Sequence, residues 1–425
     1  MKQKKVIIIG GGVIGAFIAY YLLQEDWQVT IVDKGRFGSG SSEGNCGLIV
    51  PNHVFPLNSY GNLLKAFKGM LRRDAPLHVK PRLDPGLFQW FIRFALKCGP
   101  QDVLFSAQGR HALLQSSWGL YPAIVEKEGL DCDWEKGGSL HVFQSPREWC
   151  AYAHQDAAIR QFGIVAERLD RRQLIHLEPR LAPDLSGGWH YQKTAHLCPE
   201  KLLAAMQRLL LHKGVVLLEN TEVTGFEAIG QKAISVRTAD TRLAADMFVV
   251  AAGAWAPQLQ RELSCRIPIQ PGKGYSITLA GAEQVPRLPC FFEEQSVVAT
   301  PLANGFRLGG TMEFAGFDDS LNYRRLAALS RGALEYLKNP SLGAVEKEWC
   351  GFRPMTHDGL PFIDRSPRLR NVIISAGHNM LGLSMGPGTG RLVAEMINQE
   401  KPHIDPYPYS LQRFLRSKST DTSPQ

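Results

Sequence analysis

A run of β-branched residues followed at once by closely spaced glycines limits what this chain can fold into. Residues 6–9 have the character of a buried parallel strand. Gly10, Gly12 and Gly15 come next in the pattern G-x-G-x-x-G, and the apolar residues 16–23 have the composition of a helix. Such glycines allow a tight turn, let the backbone approach a pyrophosphate and let the helix pack on the strand. The pattern predicts the start of a dinucleotide-binding α/β fold.

A second predicted strand completes this unit. Residues 29–32 are again mostly β-branched, and the strand ends at Asp33, which lies 18 positions after Gly15. A carboxylate at this place accepts hydrogen bonds from ribose hydroxyls, whereas it would repel a 2′-phosphate. We therefore expect NAD or FAD here, and not NADP.

The amino terminus also resembles a signal peptide or a membrane anchor, because basic residues precede the uncharged residues 6–23. The glycines inside that stretch argue against both, and no other uncharged span is long enough to cross a membrane.

The eight cysteines are scattered, without a C-x-x-C pair or zinc-ligand spacing. These features predict no metal site, a reducing compartment and a cytoplasmic location.

Length and net charge say less about function than the glycine motif does. The chain has 425 residues, and its net charge of +8 is spread along the sequence instead of forming a basic arm. We therefore expect no nucleic-acid partner. At roughly 150 residues per domain, the length predicts two or three domains.

The loop after Asp33 helps to separate NAD from FAD. Residues 38–51 are rich in glycine, serine and other small residues, at a point where a NAD dehydrogenase normally continues into another crossover helix. Hydroxyls and amides in such a loop can bond a second phosphate and the edge of a flavin ring, and its glycines let the ring lie against backbone. The same composition also fits a flexible surface loop.

Two later segments favour FAD. Residues 246–255 form a hydrophobic strand that ends in small residues, after a predicted helix at 199–213 and strands near 215–218 and 222–226, and this order predicts a return to the same sheet. Residues 371–377 form another strand that leads into a glycine-rich turn, and an apolar helix is predicted to open at Gly386. A helix amino terminus there can stabilise negative charge on a flavin.

Five motifs in this order resemble the D-amino acid oxidase family of FAD enzymes. They are the unit at residues 10–33, S-S-x-x-N-x-G at 41–47, V-V-A-A-G-A-W at 249–255, G-F-R-P at 351–354 and G-H-x-x-x-G at 377–382. The resemblance runs from residue 6 to residue 414. Through residues 45–49 and 273–276, it is strongest to the flavoprotein subunits of the bacterial D-amino acid dehydrogenase branch.

This resemblance implies an α/β fold with bound FAD. Its discontinuous, Rossmann-like FAD-binding domain would comprise residues 1–54, 197–257 and 350–412. An α+β substrate domain built on a mixed sheet would comprise residues 55–196 and 258–349, and residues 413–425 would form a tail.

The cofactor-binding residues implied by the resemblance lie in the glycine-rich turns and at the strand ends. They are Gly10, Gly12, Val13, Ile14, Gly15, Asp33, Lys34, Ser41, Ser42, Asn45, Cys46, Gly47, Leu48, Val223, Ala252, Gly253, Trp255, Gly377, His378, Asn379, Met380, Leu381 and Gly382.

Four residues are the substrate-site candidates. Arg353 matches the family's carboxylate-binding arginine, and a planar guanidinium can grip a carboxylate through two parallel hydrogen bonds. The resemblance places Val50 at the flavin face, whereas Tyr275 and His53 are candidates for hydrogen bonds to the substrate. For Cys350, a covalent flavin bond is the alternative to an ordinary buried thiol, which we expect.

The resemblance implies FAD-dependent oxidative deamination of D-amino acids to 2-oxo acids and ammonia, by hydride transfer from Cα to flavin N5, and neutral D-amino acids are the substrates that we expect first. Oxidation of a secondary amine or glycine, such as hydroxyproline or sarcosine, is the alternative. The electrons would pass to a membrane quinone or to another acceptor such as oxygen, and the oligomeric state stays open. Residues 55–100 mix basic and aromatic residues, which fits either a buried helix or a surface for peripheral contact with the inner face of the cell membrane.

Overall fold

The computed structural model describes residues 3–57, 76–303 and 305–414. The strands are β1 (Lys5–Ile9), β2 (Gln28–Val32), β3 (Leu48–Ile49), β4 (Leu77–Val79), β5 (Ser139–Phe143), β6 (Glu167–Asp170), β7 (Gly187–Tyr191), β8 (Ala195–His196), β9 (Val216–Leu218), β10 (Gly225–Ile229), β11 (Lys232–Arg237), β12 (Arg242–Ala244), β13 (Met247–Val250), β14 (Ile269–Ala280), β15 (Cys290–Phe292), β16 (Val297–Leu302), β17 (Gly305–Phe314), β18 (Ala344–Thr356), β19 (Phe362–Arg365) and β20 (Val372–Ala376).

The α-helices are α1 (Val13–Gln24), α2 (Pro85–Leu96), α3 (Pro100–Lys127), α4 (Pro146–Arg160), α5 (Arg171–Leu177), α6 (Pro199–His212), α7 (Tyr323–Leu334) and α8 (Gly382–Asn398). Short 3-10 segments occur at Gly253–Leu259, Tyr407–Tyr409 and Leu411–Phe414. Strands and helices therefore alternate in the way that the sequence predicts for an α/β chain.

The first large sheet contains the predicted dinucleotide unit. Its six strands follow the order β19-β20-β13-β1-β2-β9, and all are parallel except β19. Strands β1, β13 and β20 are buried along most of their length, as expected for a parallel sheet that is covered on both faces. The sheet draws on three separated stretches of chain, which confirms the predicted discontinuous arrangement.

The second large sheet is mixed, as predicted. Its strands follow the order β18-β14-β17-β16-β15-β5-β7-β6, and β4 pairs with β17 beside that path. The β15–β5 and β17–β4 pairs are parallel and the remaining pairs are antiparallel. A hydrophobic cluster from α7 and the central strands fills one face, so that the other face is available to meet the first sheet.

Two of the expected domain boundaries fall within structured segments. Residue 350 lies inside β18, and this strand pairs with β14 of the second sheet from residue 344 to residue 356. At the carboxyl end, the Arg413 guanidinium is buried and pairs with Asp358 at 2.7 Å. The chain is therefore still anchored where the tail was predicted to begin, and residues 415–425 lie outside the described residues.

Two predicted elements differ in the structure. The segment near residues 222–226 contributes to β10, which joins a separate three-stranded sheet with β11 and β12. The last helix begins at Gly382, four residues before the predicted start, so that Pro387 lies inside it. Proline lacks the N–H that would bond to the Leu383 carbonyl, and the Tyr121 hydroxyl donates to that carbonyl instead, at 2.7 Å. This replacement lets the helix start early.

Helix α2 is buried on one face only. Leu87 and Trp90 are buried, whereas Phe88, Ile92 and Leu96 are 70%, 46% and 72% exposed. The fully buried interpretation is therefore wrong. Four of the basic residues that the sequence associates with this region, Lys65, Lys68, Arg72 and Arg73, lie outside the described residues. Within the described ranges, the structure has no helix with the length and apolar character needed to cross a membrane.

Candidate active site

A cavity of about 1750 Å³ lies between the two large sheets. Pockets for small ligands usually measure roughly 300–1,000 Å³, so this one has room for a larger group and a substrate together. One wall comes from the loops at the carboxyl ends of β1, β2, β13 and β20, which meet because these strands are parallel. The other wall comes from the second sheet.

The glycines after β1 are needed for close backbone packing. Gly10 has φ +115°, and a Cβ there would lie 2.5 Å from the Ala251 carbonyl oxygen. A Cβ on Gly15 would lie 2.0 Å from the Gly10 carbonyl oxygen, so only glycine lets α1 approach the turn. Gly10 and Gly12 line the cavity, whereas Gly15 lies behind them. The predicted glycine roles agree with this geometry.

Two helix amino termini face the cavity. Helix α1 begins there at Val13 and α8 begins there at Gly382, and neither has a hydrogen bond from the side chain of its own N-cap residue. The Val13 N–H donates to the Ser42 hydroxyl at 3.2 Å. Free N–H groups and the positive end of each helix dipole favour anionic or electron-rich ligand atoms at this place.

Asp33 closes one end of the cavity. Its carboxylate accepts hydrogen bonds from the backbone N–H groups of Gly11 at 2.6 Å and Gly35 at 2.8 Å. A carboxylate has about four acceptor positions, so two are left for ribose hydroxyls. Beside it, the Lys34 ammonium lies over the Trp255 ring at 3.8 Å from the centroid, and burial lowers the pKa of Lys34. This end therefore has the features predicted for a ribose-binding edge.

The loop at residues 39–47 is fixed in place by the second sheet. Arg307 of β17 donates to the Asn45 carbonyl at 2.8 Å and forms an ion pair with Glu200 at 2.6 Å. The Ser276 hydroxyl donates to the Gly44 carbonyl at 2.9 Å. These contacts exclude the alternative of a flexible surface loop.

The end of this loop continues along the cavity wall. The Asn45 side chain accepts from the Gly47 N–H at 2.9 Å, and the Cys46 thiol is buried, which raises its pKa. The Ser384 hydroxyl of α8 donates to the Leu48 carbonyl and accepts from the Val50 N–H. This bridge holds the loop beside the amino terminus of α8.

The turn before α8 is held by its own polar side chains. Asn379 has φ +53°, and its amide bonds the Thr356 backbone and the Gly377 carbonyl. The His378 ring lies 3.1 Å from the Thr389 hydroxyl, and burial lowers the pKa of His378 to about 3. His378 is therefore a neutral ring at physiological pH.

Arg353 lies at the wall that the two sheets share. Its guanidinium donates to the Thr311 carbonyl at 2.6 Å and to the Gly310 carbonyl at 3.4 Å. Within the described ranges it has no acidic partner, although it is partly buried and burial lowers its pKa. A partly buried guanidinium without a counter-ion is unfavourable, and an anionic ligand would offset that cost. Arg353 thus has the properties predicted for a carboxylate-binding residue.

A β-bulge positions Arg353. In the register of β14 and β17, Lys273 pairs with Glu313 and Tyr275 pairs with Gly310. Two residues along β14 thus correspond to three along β17. Thr311 lies in this irregularity with φ +54°, which is strained for a β-branched residue, and its buried hydroxyl has no partner among the described residues. The bulge turns the Thr311 carbonyl toward Arg353.

The Tyr275 hydroxyl is already bonded within the protein, and Tyr275 lies on the face of the sheet opposite Arg353. Tyr275 is paired with Cys350 and Arg353 with Gly272, so alternation along the strands puts Tyr275 and Arg353 on opposite faces. Although Tyr275 borders the cavity, its hydroxyl donates to Glu313 at 2.5 Å. Cys350 lies on the same face as Tyr275, and its thiol donates to the Asp319 carbonyl at 3.2 Å, which agrees with an ordinary thiol.

Most predicted residues meet at the cavity. It is lined by Gly10, Gly12, Val13, Ile14, Asp33, Lys34, Ser41, Ser42, Asn45, Cys46, Leu48, Val50, His53, Val223, Ala252, Gly253, Trp255, Arg353, His378, Asn379, Met380, Leu381 and Gly382. Gly15, Gly47 and Gly377 lie behind the wall, where a Cβ would approach neighbouring atoms to 2.0–2.6 Å. Across residues 3–57, 76–303 and 305–414, no three His, Cys, Asp or Glu side chains are grouped to hold a metal ion.

Sequence reasoning missed four residues: Arg110 and Thr311 line the cavity, whereas Arg307 and Ser384 hold the loop at residues 39–47 and the segment that follows it. Arg110 could have been found, because it follows Ser106 and precedes Leu113 and Leu114 at helical spacing on the buried face of α3. Nothing in the sequence marks the other three, since their contacts join segments that are far apart in the chain.

The residues present fit FAD. The Ser375 hydroxyl in β20 borders the cavity, is buried and has no hydrogen-bond partner among the described residues. Gly253, with φ +54°, has open space where a Cβ would point. Together with the glycine turn, the Asp33 carboxylate and two helix amino termini, these groups suit a molecule with a pyrophosphate, a ribose and a flat polar ring.

Comparison with known proteins agrees with this geometry. The family model described as DAO, FAD dependent oxidoreductase, matches residues 5–396. The chain belongs to this family and is an FAD-dependent oxidoreductase.

Several relatives have the length of this chain. It is 30% identical over 421 residues to the D-amino acid dehydrogenase of Granulibacter bethesdensis, with 96% of this chain and 99% of that protein covered. It is 31% identical to the D-amino acid dehydrogenase of Rhodopseudomonas palustris, with 96% and 98% covered.

A solved structure shows the same fold. Glycine oxidase from Geobacillus kaustophilus superposes with a TM-score of 0.76 at 24% identity, covering 97% of this chain and 99% of its own.

Proposed function

We propose that this protein is a D-amino acid dehydrogenase that converts D-amino acids to 2-oxo acids and ammonia. The observation that carries the proposal is Arg353, a partly buried guanidinium without an acidic partner in the described ranges, in the same cavity as the FAD-binding turn. The names of relatives at about 30% identity support the choice of D-amino acids.

The protein's own groups bind and orient the substrate. Arg353 grips the α-carboxylate and so fixes the position of Cα, because two parallel hydrogen bonds define both place and angle. Val50 and Met355 supply apolar surface that excludes water. Burial lowers the pKa of His53 to about 3, so that its neutral ring does not repel the substrate ammonium.

When bound, FAD supplies the acceptor for a hydride from Cα. The substrate amine must be neutral before this step, and water then converts the imine product to the 2-oxo acid and ammonia.

We further propose that the electrons pass to a quinone while the protein rests on the cytoplasmic face of the membrane. Phe88, Ile92 and Leu96 recur at intervals of four residues and form an exposed apolar stripe on α2. Arg93 lies on the same helix, and a basic, apolar surface of this kind suits the headgroup region of an anionic bilayer. We call these three apolar residues the α2 stripe.

Anaerobic titration tests the substrate class. The purified yellow protein is mixed with D-amino acids, L-amino acids and cyclic secondary amines, and flavin absorbance is followed. We expect D-amino acids to bleach the flavin. Bleaching by L-amino acids alone, or by secondary amines or glycine alone, would contradict the proposal.

Replacement of Arg353 tests the observation that carries the proposal. We expect Arg353→Leu to lower kcat/KM by about 10²–10³-fold, mainly through KM, because a charged hydrogen-bonded pair is lost. Arg353→Lys should retain part of the affinity, since it keeps the charge without the planar fork. Equal flavin content in all three proteins is the control, and an unchanged KM in Arg353→Leu would contradict the role.

A further inference from the structure

A second group of polar side chains lies in the cavity wall, away from the glycine turn. Asn52, Arg110 and His141 are each at most 5% exposed, and His53 lies beside them. Neither the FAD-binding turn nor the Arg353 site accounts for them. Buried polar groups are normally hydrogen-bonded, so unpartnered ones indicate that something else binds there.

Arg110 is the charged member of this group. One of its terminal nitrogens donates to the His53 carbonyl at 2.8 Å, but its Nε–H has no partner among the described residues. Within the same ranges it forms no ion pair. A desolvated positive charge that bonds only a neutral carbonyl is strongly unfavourable, and a carboxylate would compensate it.

The neighbours of Arg110 are polar and leave several atoms unpaired. The His141 Nε2 and the Asn52 Oδ1 are buried without partners among the described residues. On its other side, His141 bonds Glu293 through Nδ1 at 2.6 Å and stacks on Phe291 at 4.5 Å. Glu293 is thus the acidic group on this side, and it is engaged by His141.

We propose that Arg110 binds a second carboxylate, so that the preferred substrates are D-amino acids with an acidic side chain. This inference rests on the proposed function, because it assigns the substrate side chain of the same site. Arg353 on β18 holds the α-carboxylate and Arg110 on α3 holds the distal one. His141 and His53 complete the distal site as hydrogen-bonding rings.

The first test compares substrates of similar size. We expect kcat/KM for D-glutamate to exceed that for D-norleucine at least tenfold, because only the former offers a carboxylate to Arg110. In Arg110→Met, which keeps the length of the side chain, this ratio should fall by about 10²-fold or more. Arg110→Lys should restore part of the ratio by restoring the charge.

A matched control removes a positive charge outside the cavity. Lys127 at the carboxyl end of α3 is exposed and does not line the cavity. Lys127→Met should leave the ratio within about twofold of the parent protein, since an exposed charge is screened by solvent. A preference for D-norleucine in the parent protein, or an equal loss for both substrates in Arg110→Met, would overturn the inference.

The second test needs no turnover and so separates this inference from the proposed function. Glutarate and pentanoate differ by one carboxylate, and binding of each is followed through the flavin absorption spectrum of the holoenzyme. We expect glutarate to bind at least tenfold more tightly, and Arg110→Met to abolish the difference. If glutarate binds this way but no D-amino acid bleaches the flavin, the proposed function fails and the second carboxylate site stands. Equal dissociation constants in the parent protein would refute that site.

Discussion

At the scale of single residues, the position of Arg353 depends on a glycine in the neighbouring strand. A Cβ on Gly274 would lie 2.2 Å from the Arg353 Cζ. The guanidinium therefore occupies the space that any larger residue in β14 would fill. A positive charge alone is not enough for this site, because the residue that makes room for it is equally necessary.

We expect Gly274→Ala to raise KM for D-amino acids by at least tenfold, because the methyl group displaces the guanidinium. KM and FAD content are measured together. Gly119→Ala is the matched control, since a Cβ there meets nothing within 4 Å, and it should leave KM as it is. An unchanged KM in Gly274→Ala would show that Arg353 tolerates displacement.

Sequence and structure agree best on the residues whose role is local. Gly10, Gly12 and Asp33 were predictable because one short unit contains both their spacing and their partners. The substrate contact of Tyr275 stays a prediction; the sequence did not show its bond to Glu313 or the face on which it lies, which is set by its pairing with Cys350, far away in the chain. The strained backbone of Thr311 was invisible for the same reason.

At the scale of elements, the loop at residues 39–47 depends on contacts with Arg307 of the second sheet, which we call the Arg307 clasp. Arg307 has a side chain that is 3% exposed, and it holds this loop and the start of α6 together. Sequence motifs predicted that the loop binds FAD but gave no sign of this clasp.

We expect Arg307→Met to weaken FAD binding by about tenfold or more, because Glu200 and the loop carbonyls lose a buried, charge-assisted partner. Equilibrium dialysis of FAD measures the change. Lys347→Met is the control, because the partly exposed Lys347 also pairs with Glu43 of this loop and an ion pair in contact with solvent contributes little. Equal FAD affinity in the two variants would contradict the clasp.

Helix α2 carries the prediction for membrane contact. Replacing the α2 stripe by serine (Phe88→Ser, Ile92→Ser and Leu96→Ser together) should reduce binding to anionic vesicles by at least tenfold, because apolar burial drives such binding. Co-sedimentation measures this, and bleaching of the flavin by D-amino acids should persist. Ile229→Ser, at an apolar residue exposed elsewhere, is the control. Unchanged sedimentation of the triple variant would remove the stripe from the proposal.

At the scale of the whole molecule, two buried histidines link stability to pH. Burial lowers the pKa of His357 to about 4 and that of His378 to about 3. Because histidine in an unfolded chain titrates near 6.5, the unfolded state binds more protons than the folded state below that pH. The free energy of unfolding should therefore fall as the pH drops from about 6.5 to 4.

Each histidine contributes a slope of about 1.4 kcal/mol per pH unit in this window. Denaturant unfolding of the holoenzyme at pH 7.5, 6.5, 5.5 and 4.5 measures the slope. His357→Phe should reduce the slope of the free energy of unfolding against pH by about 1.4 kcal/mol per pH unit. Phenylalanine keeps the ring contact with Phe414 and has no titrating group. An unaltered slope in this variant would contradict the assignment.

The fold class was predictable from the glycine unit and from the order of strands and helices, but the way the halves join was not. The boundary expected near residue 350 falls inside β18, because strand pairing continues through it. Strand pairing depends on two segments that are distant in the sequence. The pattern of residues in one segment does not show which partner it has or how far the pairing extends.

Strand β18 ties the anchoring arginine to the same backbone that leads into the cofactor turn. Because residues 344–356 pair with β14, moving that arginine along the chain would disturb the pairing of the second sheet. New substrates are more easily acquired by exchanging side chains on α3 and α4, which line the far side of the chamber. We therefore expect changes of substrate in this fold to come from substitutions in the cavity-lining residues of α3 and α4, while β18 keeps its sequence.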